Sequence, residues 1–457
     1  MKKVTQFVWN NFKNDARLHR ECSALSEVGY DVHMVALKDP KFPDLPSLEI
    51  RNKDQQSEYN VHRINFYPWL LEAYRQDKTT FLIVVGGVTS VISVALFYRS
   101  IMLLSTFLML LIASVASFKK RYVRKWFINL DRSIRMAFTG YKMNADIYQS
   151  NDLNTLIQGV ICSKLRLKPK PLIYDSHEVQ TDRTGYNKNI VKVMESNLLR
   201  FVDVMMVENH TRAAHNEELY GFYPYTLYNY SEYYNIEDKE AIDIHAEVGI
   251  DEDEKILLYQ GGLQAGRGLH NLINAMPHVQ EGTLVFIGDG KLKDALKQQV
   301  VDMGLQQKVK FIGRVDYKDL ARYTKNAYVG FQVLQNICFN HYSASSNKLF
   351  EYLMADVPVI ASDLPEIRKV FNQYNVGELV NPDDPQSIAQ AINKIVQDEA
   401  MHASYVEGAK QAKHVYNWNN EKEKLYDVYR HAEDVHVKSF ILSLIHISEP
   451  TRRRGIS

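Results

Sequence analysis

Cysteine and net charge are both scarce in this chain of 457 residues. Its three cysteines, Cys22, Cys162 and Cys338, lie far apart, have no metal-ligand spacing and are odd in number. This pattern argues against a disulfide scaffold and favours a reducing compartment. The formal net charge is +1, so nothing indicates a protein that binds nucleic acid. We also expect no cleavable signal peptide, because the apolar run 4–9 is too short and no small-residue cleavage site follows it.

Charge is absent altogether from two long runs, 79–98 and 100–118, which Arg99 alone separates. Each run is close to the ~20 residues of a helix that crosses a bilayer. Lys78 precedes the pair and a basic cluster beginning at Lys119 follows it, which predicts a membrane hairpin over 79–118 with both ends in the cytoplasm. Because the turn at Arg99 is very short, a shallow re-entrant hairpin is one alternative. A buried helix pair in a soluble core is another.

The end of the chain needs separate treatment. Residues 442–452 resemble the translation of a sequencing-library adapter. We therefore expect 442–457 to be an artefact of the gene sequence that, like a fusion scar, has no part in the native fold.

Predicted strands and helices alternate along the rest of the chain in two series of similar size. The first series, with the hydrophobic hairpin inserted in it, predicts an N-terminal domain over 1–230. A polar, acidic linker follows over 231–254, and the second series predicts a C-terminal domain over 255–418. A last helix over 419–441 is expected to pack back on the N-terminal domain. This order favours an α/β fold of two Rossmann-like, doubly wound domains that face each other across a cleft.

A glycine-rich loop follows the first strand of the second series. The stretch 260–269 holds Gly261, Gly262, Gly266 and Gly268 at a strand-to-helix junction. Such a loop lets backbone N–H groups approach a phosphate, and the start of the next helix favours negative charge. Arg267 adds a cation with a bidentate fork. The spacing matches neither the dinucleotide fingerprint nor the P-loop, and a flexible turn without a ligand is the alternative.

A second candidate region is the helix-and-strand unit at 346–363. The apolar residues of its helix recur as they do on a buried face, so core packing explains most of the pattern. Core packing does not explain why Lys348 and Glu351 lie three residues apart on one face, beside a loop rich in serine and asparagine. Ligands gather at the ends of such elements in parallel sheets. We therefore interpret this unit as one wall of a binding site.

Polar pairs follow three predicted strands of the N-terminal half. They are Asn14 and Asp15, Asn151 and Asp152, and His177 and Glu178. Because the carboxyl ends of parallel strands meet at one edge of a sheet, the pairs predict a binding crevice. A histidine there can orient a sugar hydroxyl or act as a base, although a lone histidine is often structural.

Together these motifs resemble family 4 (group 1) glycosyltransferases of the GT-B fold. The resemblance covers about residues 1–435 without the hairpin. The motifs that carry it are Gly261-Gly262-Leu263 with Arg267-Gly268, Gly288-Asp289-Gly290, 311–315, Asn347-Lys348 with Glu351 and 355–361, and Asp175-Ser176-His177-Glu178.

The resemblance implies a nucleotide-diphosphate sugar as donor, bound by the C-terminal domain, and retention of anomeric configuration without a cofactor or a metal. It implies that Glu351 holds the donor ribose, that Arg267 stabilises the departing diphosphate and that His177 lies near the reacting sugar. His177 and Arg267 are therefore the catalytic candidates. The donor-site candidates are Gly261, Gly262, Arg267, Gly288, Arg314, Ser343, Asn347, Lys348 and Glu351. The acceptor-side candidates are Asn14, Asp15, Asn151, Asp152 and Glu178.

Two positions depart from the family pattern. Ser343 stands where the family has the first glutamate of its E-x7-E motif. A glycine, Gly261 or Gly262, stands where the family has an arginine. Ser343 still offers a hydroxyl to a sugar, and Arg314 or Lys348 can supply a cation to the diphosphate.

We therefore predict a glycosyltransferase of the hexosyltransferase type at the cytoplasmic membrane, with its catalytic domains on the cytoplasmic side. Its acceptor is expected to be lipid-linked or an envelope polysaccharide, and no nucleic acid partner is expected. A nucleotide-sugar epimerase on the same fold is one alternative, although it has little use for a membrane hairpin. A non-catalytic subunit of a polysaccharide assembly complex is another, and Ser343 and the missing arginine favour it.

Overall fold

In the computed structural model, which describes residues 1–13, 15–52, 57–183, 185 and 187–448, two α/β domains follow one another along the chain. Each is built on a sheet whose strands are mostly parallel. Successive strand residues such as Leu257 and Leu258 belong to different hydrophobic cores, so each face of the sheet is covered. The predicted architecture of two doubly wound domains is confirmed.

The N-terminal sheet carries the elements that end in the predicted crevice. Its strands are β1 (Lys3–Phe7), β2 (Asp31–Lys38), β3 (Leu48–Asn52), β4 (Glu58–Asn65), β5 (Ile147–Asn151), β6 (Leu172–Ser176), β7 (Val204–Val207) and β8 (Tyr225–Thr226). They lie in the order β3-β4-β2-β1-β5-β6-β7-β8, and β3 pairs antiparallel with β4 at the edge. β1 lies between β2 and β5, so Val4 pairs with both Val32 and Ile147. All residues of β5 and β6 are buried, as expected of parallel strands covered on both faces.

The helices of the N-terminal half include the apolar pair that the sequence predicts. They are α1 (Ala16–Glu27), α2 (Trp69–Gln76), α3 (Lys78–Arg99), α4 (Ile101–Lys119), α5 (Arg121–Met143), α6 (Leu153–Lys164), α7 (Lys188–Leu199) and α8 (His210–Tyr220). Asp77 caps α3 by accepting a hydrogen bond from the Thr80 amide at 3.0 Å. Ser100, with an extended backbone, separates α3 from α4.

Helix α3 is long and apolar enough to cross a membrane, and none of its residues is buried. The described side chains of α4 form a shorter apolar stretch, Ile101–Ile112. The outward-facing side chains of α3 contradict the alternative of a helix pair buried in a soluble core, because such a pair would pack against the sheet.

The C-terminal sheet positions the second set of predicted site residues. Its strands are β9 (Ile256–Gln260), β10 (Thr283–Ile287), β11 (Val309–Ile312), β12 (Val329–Gln332), β13 (Val359–Ser362) and β14 (Gly377–Val380). They lie in the order β11-β10-β9-β12-β13-β14 and are parallel throughout this described sheet. The helices here are α9 (Ile244–Val248), α10 (Leu269–Ala275), α11 (Lys293–Asp302), α12 (Tyr317–Thr324), α13 (Phe339–Tyr342), α14 (Asn347–Met354), α15 (Pro365–Gln373), α16 (Pro385–Gln397) and α17 (Glu399–Val415).

The chain crosses between the domains at two neighbouring places. The segment 231–254 folds onto the C-terminal domain, where Ile236 and Ile244 are buried in its core. The last helix, α18 (Trp418–Ser448), begins at the crossing, where the Trp418 amide donates to the Ser231 carbonyl at 2.8 Å. Leu425 and other buried residues of α18 then join the N-terminal core. Residues 449–457 of the predicted adapter segment lie outside the described part of the chain.

Candidate functional site

The glycine-rich loops after β9 and β10 pack backbone to backbone at the carboxyl edge of the C-terminal sheet. The Gly261 amide donates to the Ile287 carbonyl at 2.8 Å. Gly288 has φ +144°, and a Cβ atom there would lie 2.0 Å from the Gly261 carbonyl oxygen. Gly261 and Gly288 therefore allow the two loops to approach, whereas Gly262 has only the Gln264 side chain nearby, 3.7 Å from the position of a Cβ.

Two cations, Arg267 and Lys348, lie beside this pair of loops. The Lys348 side chain covers Gly261, since a Cβ atom on Gly261 would lie 2.5 Å from the lysine Cε. Burial lowers the pKa of Lys348, and the charge of Arg267 lowers it further, to about 7, although Glu351 opposes this. Arg267 thus disfavours a second positive charge at Lys348, and a bound anion would favour that charge.

Glu351 lies next to Lys348 on α14 and faces the space between the domains. Its Oε2 accepts a hydrogen bond from Gln260 Nε2 at 2.9 Å, and Gln260 Oε1 accepts another from Thr324 Oγ1 at 2.8 Å. Burial raises the pKa of Glu351, whereas the hydrogen bond from Gln260 and the charge of Lys348 lower it. Glu351 lines a cleft of about 740 Å³ together with Arg20 from the N-terminal domain and Tyr317 from α12.

His177 lies just after β6 and pairs with a buried carboxylate. Its Nε2 is 2.9 Å from Asp175 Oδ2. Burial alone would lower the pKa of His177, but the Asp175 carboxylate outweighs burial and raises the pKa to about 9. At neutral pH this imidazole is charged, so it donates hydrogen bonds and cannot accept a proton as a base.

A run of buried polar side chains continues from Asp175 through the N-terminal domain. Arg17 Nη2 lies 2.8 Å from Asp175 Oδ1, and Arg17 Nε lies 2.9 Å from Glu21 Oε1. Gln149 Nε2 donates to Glu21 Oε2 at 3.0 Å, and the Tyr429 hydroxyl on α18 donates to Gln149 Oε1 at 2.6 Å. We call this run, which is His177, Asp175, Arg17, Glu21, Gln149 and Tyr429, the buried polar chain.

The acceptor-side candidates divide into one that approaches His177 and others that serve the local fold. Asp152 Oδ1 accepts from the His177 amide at 3.1 Å. Asn151 Nδ2 donates to the Phe7 carbonyl at 3.0 Å, Asp15 caps α1, and Glu178 pairs with Arg183 at 3.1 Å. Asn14 lies outside the described residues.

Three other donor-site candidates make contacts of their own or lie at the surface. Ser343 is fully buried at the domain interface, where its Oγ accepts from Arg212 Nε at 3.2 Å and its carbonyl accepts from Asn209 Nδ2 at 2.7 Å. Asn347 Oδ1 accepts a hydrogen bond from Asn229 Nδ2 at 2.9 Å. Arg314 is exposed after β11. Ser343 thus joins the two domains through hydrogen bonds that occupy its polar atoms.

The sequence does not predict three further residues of the site. Arg212 donates to the carbonyl of His177 as well as to Ser343, so it ties the histidine loop to the C-terminal domain. His341 packs over the glycine loop, because a Cβ atom at Gly266 would lie 2.7 Å from its Cε1. Arg20 donates to Asn229, whose side-chain amide donates in turn to Asn347 of the C-terminal domain. Each lies on a short helix or in the middle of a helix, where an isolated arginine or histidine is usual.

The described residues contain no group of three or more histidines, cysteines or carboxylates that could hold a metal ion. The described part of the site brings together Arg267 and Lys348 beside the glycine loops, the Glu351 carboxyl in the cleft, and the charged His177. These groups suit an anionic ligand that carries hydroxyl groups.

Comparison with known proteins identifies the family that the C-terminal half resembles. Residues 240–412 match the family of glycosyl transferases, group 1. An uncharacterised glycosyltransferase of Methanocaldococcus jannaschii is 28% identical over 205 residues, which is 44% of this chain and 51% of that protein. A phosphatidyl-myo-inositol mannosyltransferase of Mycolicibacterium smegmatis is 29% identical over 172 residues, 37% of this chain and 41% of that protein.

The structure of HepE from Anabaena in complex with UDP-glucose superposes with a TM-score of 0.65 at 14% identity, and the match covers 94% of this chain and all of that one. The expected GT-B fold is confirmed by this likeness. The resemblance to group 1 glycosyltransferases is also confirmed, and residues 240–412 form a glycosyltransferase domain of that group. The chain spans about half the length of the curated relatives it matches.

Proposed function

We propose that this chain, which carries a group 1 glycosyltransferase domain, transfers a sugar from a nucleotide-diphosphate donor with retention of anomeric configuration. Its acceptor is lipid-linked or an envelope polysaccharide at the cytoplasmic face of the membrane. The phosphatidyl-myo-inositol named for one relative and the apolar helix α3 support a lipid acceptor and a membrane location.

The observation that carries the proposal is the cation pair Arg267 and Lys348 beside Glu351. A departing nucleoside diphosphate gains negative charge as the sugar bond breaks, and preorganised cations stabilise that charge. Lys348 covers the glycine loop, near the position where the family pattern has an arginine. Lys348 can therefore supply a cation to the diphosphate where the arginine is missing.

His177 acts in this proposal as a charged hydrogen-bond donor. Asp175 keeps its imidazole protonated, and Arg17 keeps Asp175 ionised, so the charge near the reacting sugar persists at neutral pH. A donor of this kind orients a sugar hydroxyl or stabilises the oxygen of the leaving group.

The test is a screen of nucleotide-diphosphate sugars against the full-length, detergent-solubilised protein, with donor hydrolysis as the readout. We expect Arg267→Ala and Glu351→Ala to lower kcat/KM for the donor that is found, by about 100-fold for Arg267→Ala. Arg430→Ala and Glu407→Ala, which remove exposed groups of the same types, are the matched controls. Wild-type rates in both site variants would contradict the proposal.

A second candidate, a non-catalytic subunit of a polysaccharide assembly complex, is favoured by Ser343. The polar atoms of this residue are engaged by Arg212 and Asn209. A sugar ligand would therefore find no charge and no free hydroxyl at this position. Titration calorimetry with nucleoside diphosphates separates the two candidates, because a catalyst must bind the product and a scaffold has no need to. An epimerase would instead interconvert the free donor without any acceptor.

A further inference from the structure

Helix α5, which follows the apolar hairpin, presents two different faces. One face packs on the domain through the buried residues Ile128, Arg132 and Met136. On the opposite side, exposed apolar side chains recur every fourth residue, as in a ridge along a helix. We call these side chains the α5 ridge; they are Tyr122, Trp126, Leu130, Ile134 and Phe138.

The α5 ridge continues beyond the helix into a larger apolar surface. Tyr141 at the end of α5 is exposed, and its hydroxyl donates to the carbonyl of Leu165. Leu165 and Leu167 in the loop after α6 are also exposed, Leu167 completely. Soluble proteins rarely expose contiguous apolar surface of this extent unless it contacts a partner or a membrane.

The charges around the ridge are almost all positive. Helix α5 contains six basic residues and one acidic residue, Asp131, which is paired with Arg135 at 2.5 Å. Arg121, Arg124 and Lys125 cluster in its first turns, at one end of the ridge. Lys142, Arg166 and Lys168 lie at the other end. A surface with apolar centre and basic ends complements an anionic bilayer.

The position of α5 in the chain fits the same partner. It begins at Arg121, two residues after α4 ends at Lys119, so it starts where the apolar hairpin ends. Its 23 residues span about 35 Å at the rise of an α-helix. Aromatic residues such as Tyr122 and Trp126 are typical of the headgroup level of a membrane.

We propose that α5 lies flat in the headgroup region of an anionic bilayer, with the α5 ridge directed toward the acyl chains. This inference rests on the membrane location in the proposed function and extends it. The hairpin anchors the chain, while α5 fixes the orientation of the N-terminal domain against the membrane. The crevice at His177 is then held at a set height above the lipid surface.

The test uses the full chain with one fluorescent label at Ile134→Cys and Cys338 replaced by serine, since Cys22 and Cys162 are buried. The protein is reconstituted into phosphatidylcholine vesicles with and without phosphatidylglycerol. When phosphatidylglycerol is present, we expect quenching of the label by aqueous iodide to fall severalfold. We also expect a lipid with a nitroxide at shallow depth to quench the label. Arg124→Gln with Lys125→Gln should reduce this shielding.

Two labels at other exposed sites serve as controls. Val301→Cys on α11 should stay open to iodide, and Val91→Cys on α3 should report insertion of the hairpin. Protection at position 91 without protection at 134 would overturn the docking of α5 while leaving the membrane location intact. If iodide reached the label at both positions, the docking of α5 and the membrane location would both be overturned. Donor hydrolysis would still report on catalysis separately. If shielding at position 134 increased with protein concentration in the absence of vesicles, the α5 ridge would instead contact a second copy of the chain. That result would also overturn the docking of α5 on a membrane.

Discussion

Arg17 holds both carboxylate oxygens of Asp175, with its Nη2 2.8 Å from Oδ1 and 2.9 Å from Oδ2. Burial by itself raises the pKa of Asp175, but the charges of Arg17 and His177 lower it. The carboxylate therefore stays ionised inside the domain and keeps His177 charged. The buried polar chain, rather than solvent, sets the protonation state of the residue nearest the proposed reaction.

The first prediction concerns the pH dependence of donor turnover. His177 has a raised pKa of about 9, so its charged form is present at neutral pH and is lost as the pH rises through 9. We expect kcat of the wild type to fall above that pH. Asp175→Asn removes the group that raises the pKa, so the fall should move to a lower pH and kcat at pH 7 should drop by about 100-fold. An unchanged pH profile in Asp175→Asn would contradict this role.

The second prediction concerns nucleoside diphosphate binding. Lys348 has a lowered pKa of about 7, and a bound diphosphate should raise it. Binding then takes up a proton, so the affinity for UDP should fall as the pH rises through 7, by up to about tenfold per pH unit well above it. Calorimetry between pH 6.5 and 9 measures this slope, and Lys348→Met should abolish it. A flat affinity in the wild type would show that Lys348 does not contact the ligand.

The third prediction concerns the glycine loops. Gly288→Ala would place a Cβ atom 2.0 Å from the Gly261 carbonyl oxygen and would strain a positive φ, so unfolding free energy should fall by about 2–4 kcal/mol. Gly313→Ala, where nothing lies within 4 Å, should change it by less than ~0.5 kcal/mol. Chemical denaturation of the solubilised protein measures both. Equal effects would mean that the loops do not pack as described.

The fourth prediction concerns the far end of the buried polar chain. Tyr429→Phe removes the hydroxyl that donates to Gln149, and it leaves buried amide groups without a partner, which should cost about 1–3 kcal/mol of stability. Tyr426 lies one turn earlier on α18 and is not part of the buried polar chain. Tyr426→Phe should therefore lower the free energy of unfolding by less than ~0.5 kcal/mol. Thermal unfolding with both variants distinguishes the hydrogen bond from the loss of a hydroxyl as such.

Much of the fold follows from the sequence because its signals are local. The alternation of strands and helices, the glycines at strand ends and the uncharged runs of the hairpin are each visible within about twenty residues. Lys348 and Glu351 lie three residues apart on one helix, so their shared face could also be predicted.

The rest of the site depends on contacts between residues far apart in the chain. Arg17 meets Asp175 across 158 residues, and nothing near either residue indicates the partner. Ser343 aligns with a family glutamate, yet the sequence does not reveal that Arg212 and Asn209 occupy its polar atoms. Lys348 covers Gly261 only because α14 packs on the sheet, where the Tyr352 hydroxyl of α14 donates to the Leu258 carbonyl of β9 at 2.9 Å. Tertiary packing decides these relationships, and local patterns do not contain them.

The chain passes between the domains twice. The two passages meet where the Trp418 amide donates to the Ser231 carbonyl, so they form one connection between the domains. Two connections at one place restrict least a relative rotation of the domains about that place. Arg267 and Lys348 belong to the C-terminal domain, whereas His177 and the buried polar chain belong to the N-terminal domain. A ligand that contacts both sets of groups would therefore hold the two domains together.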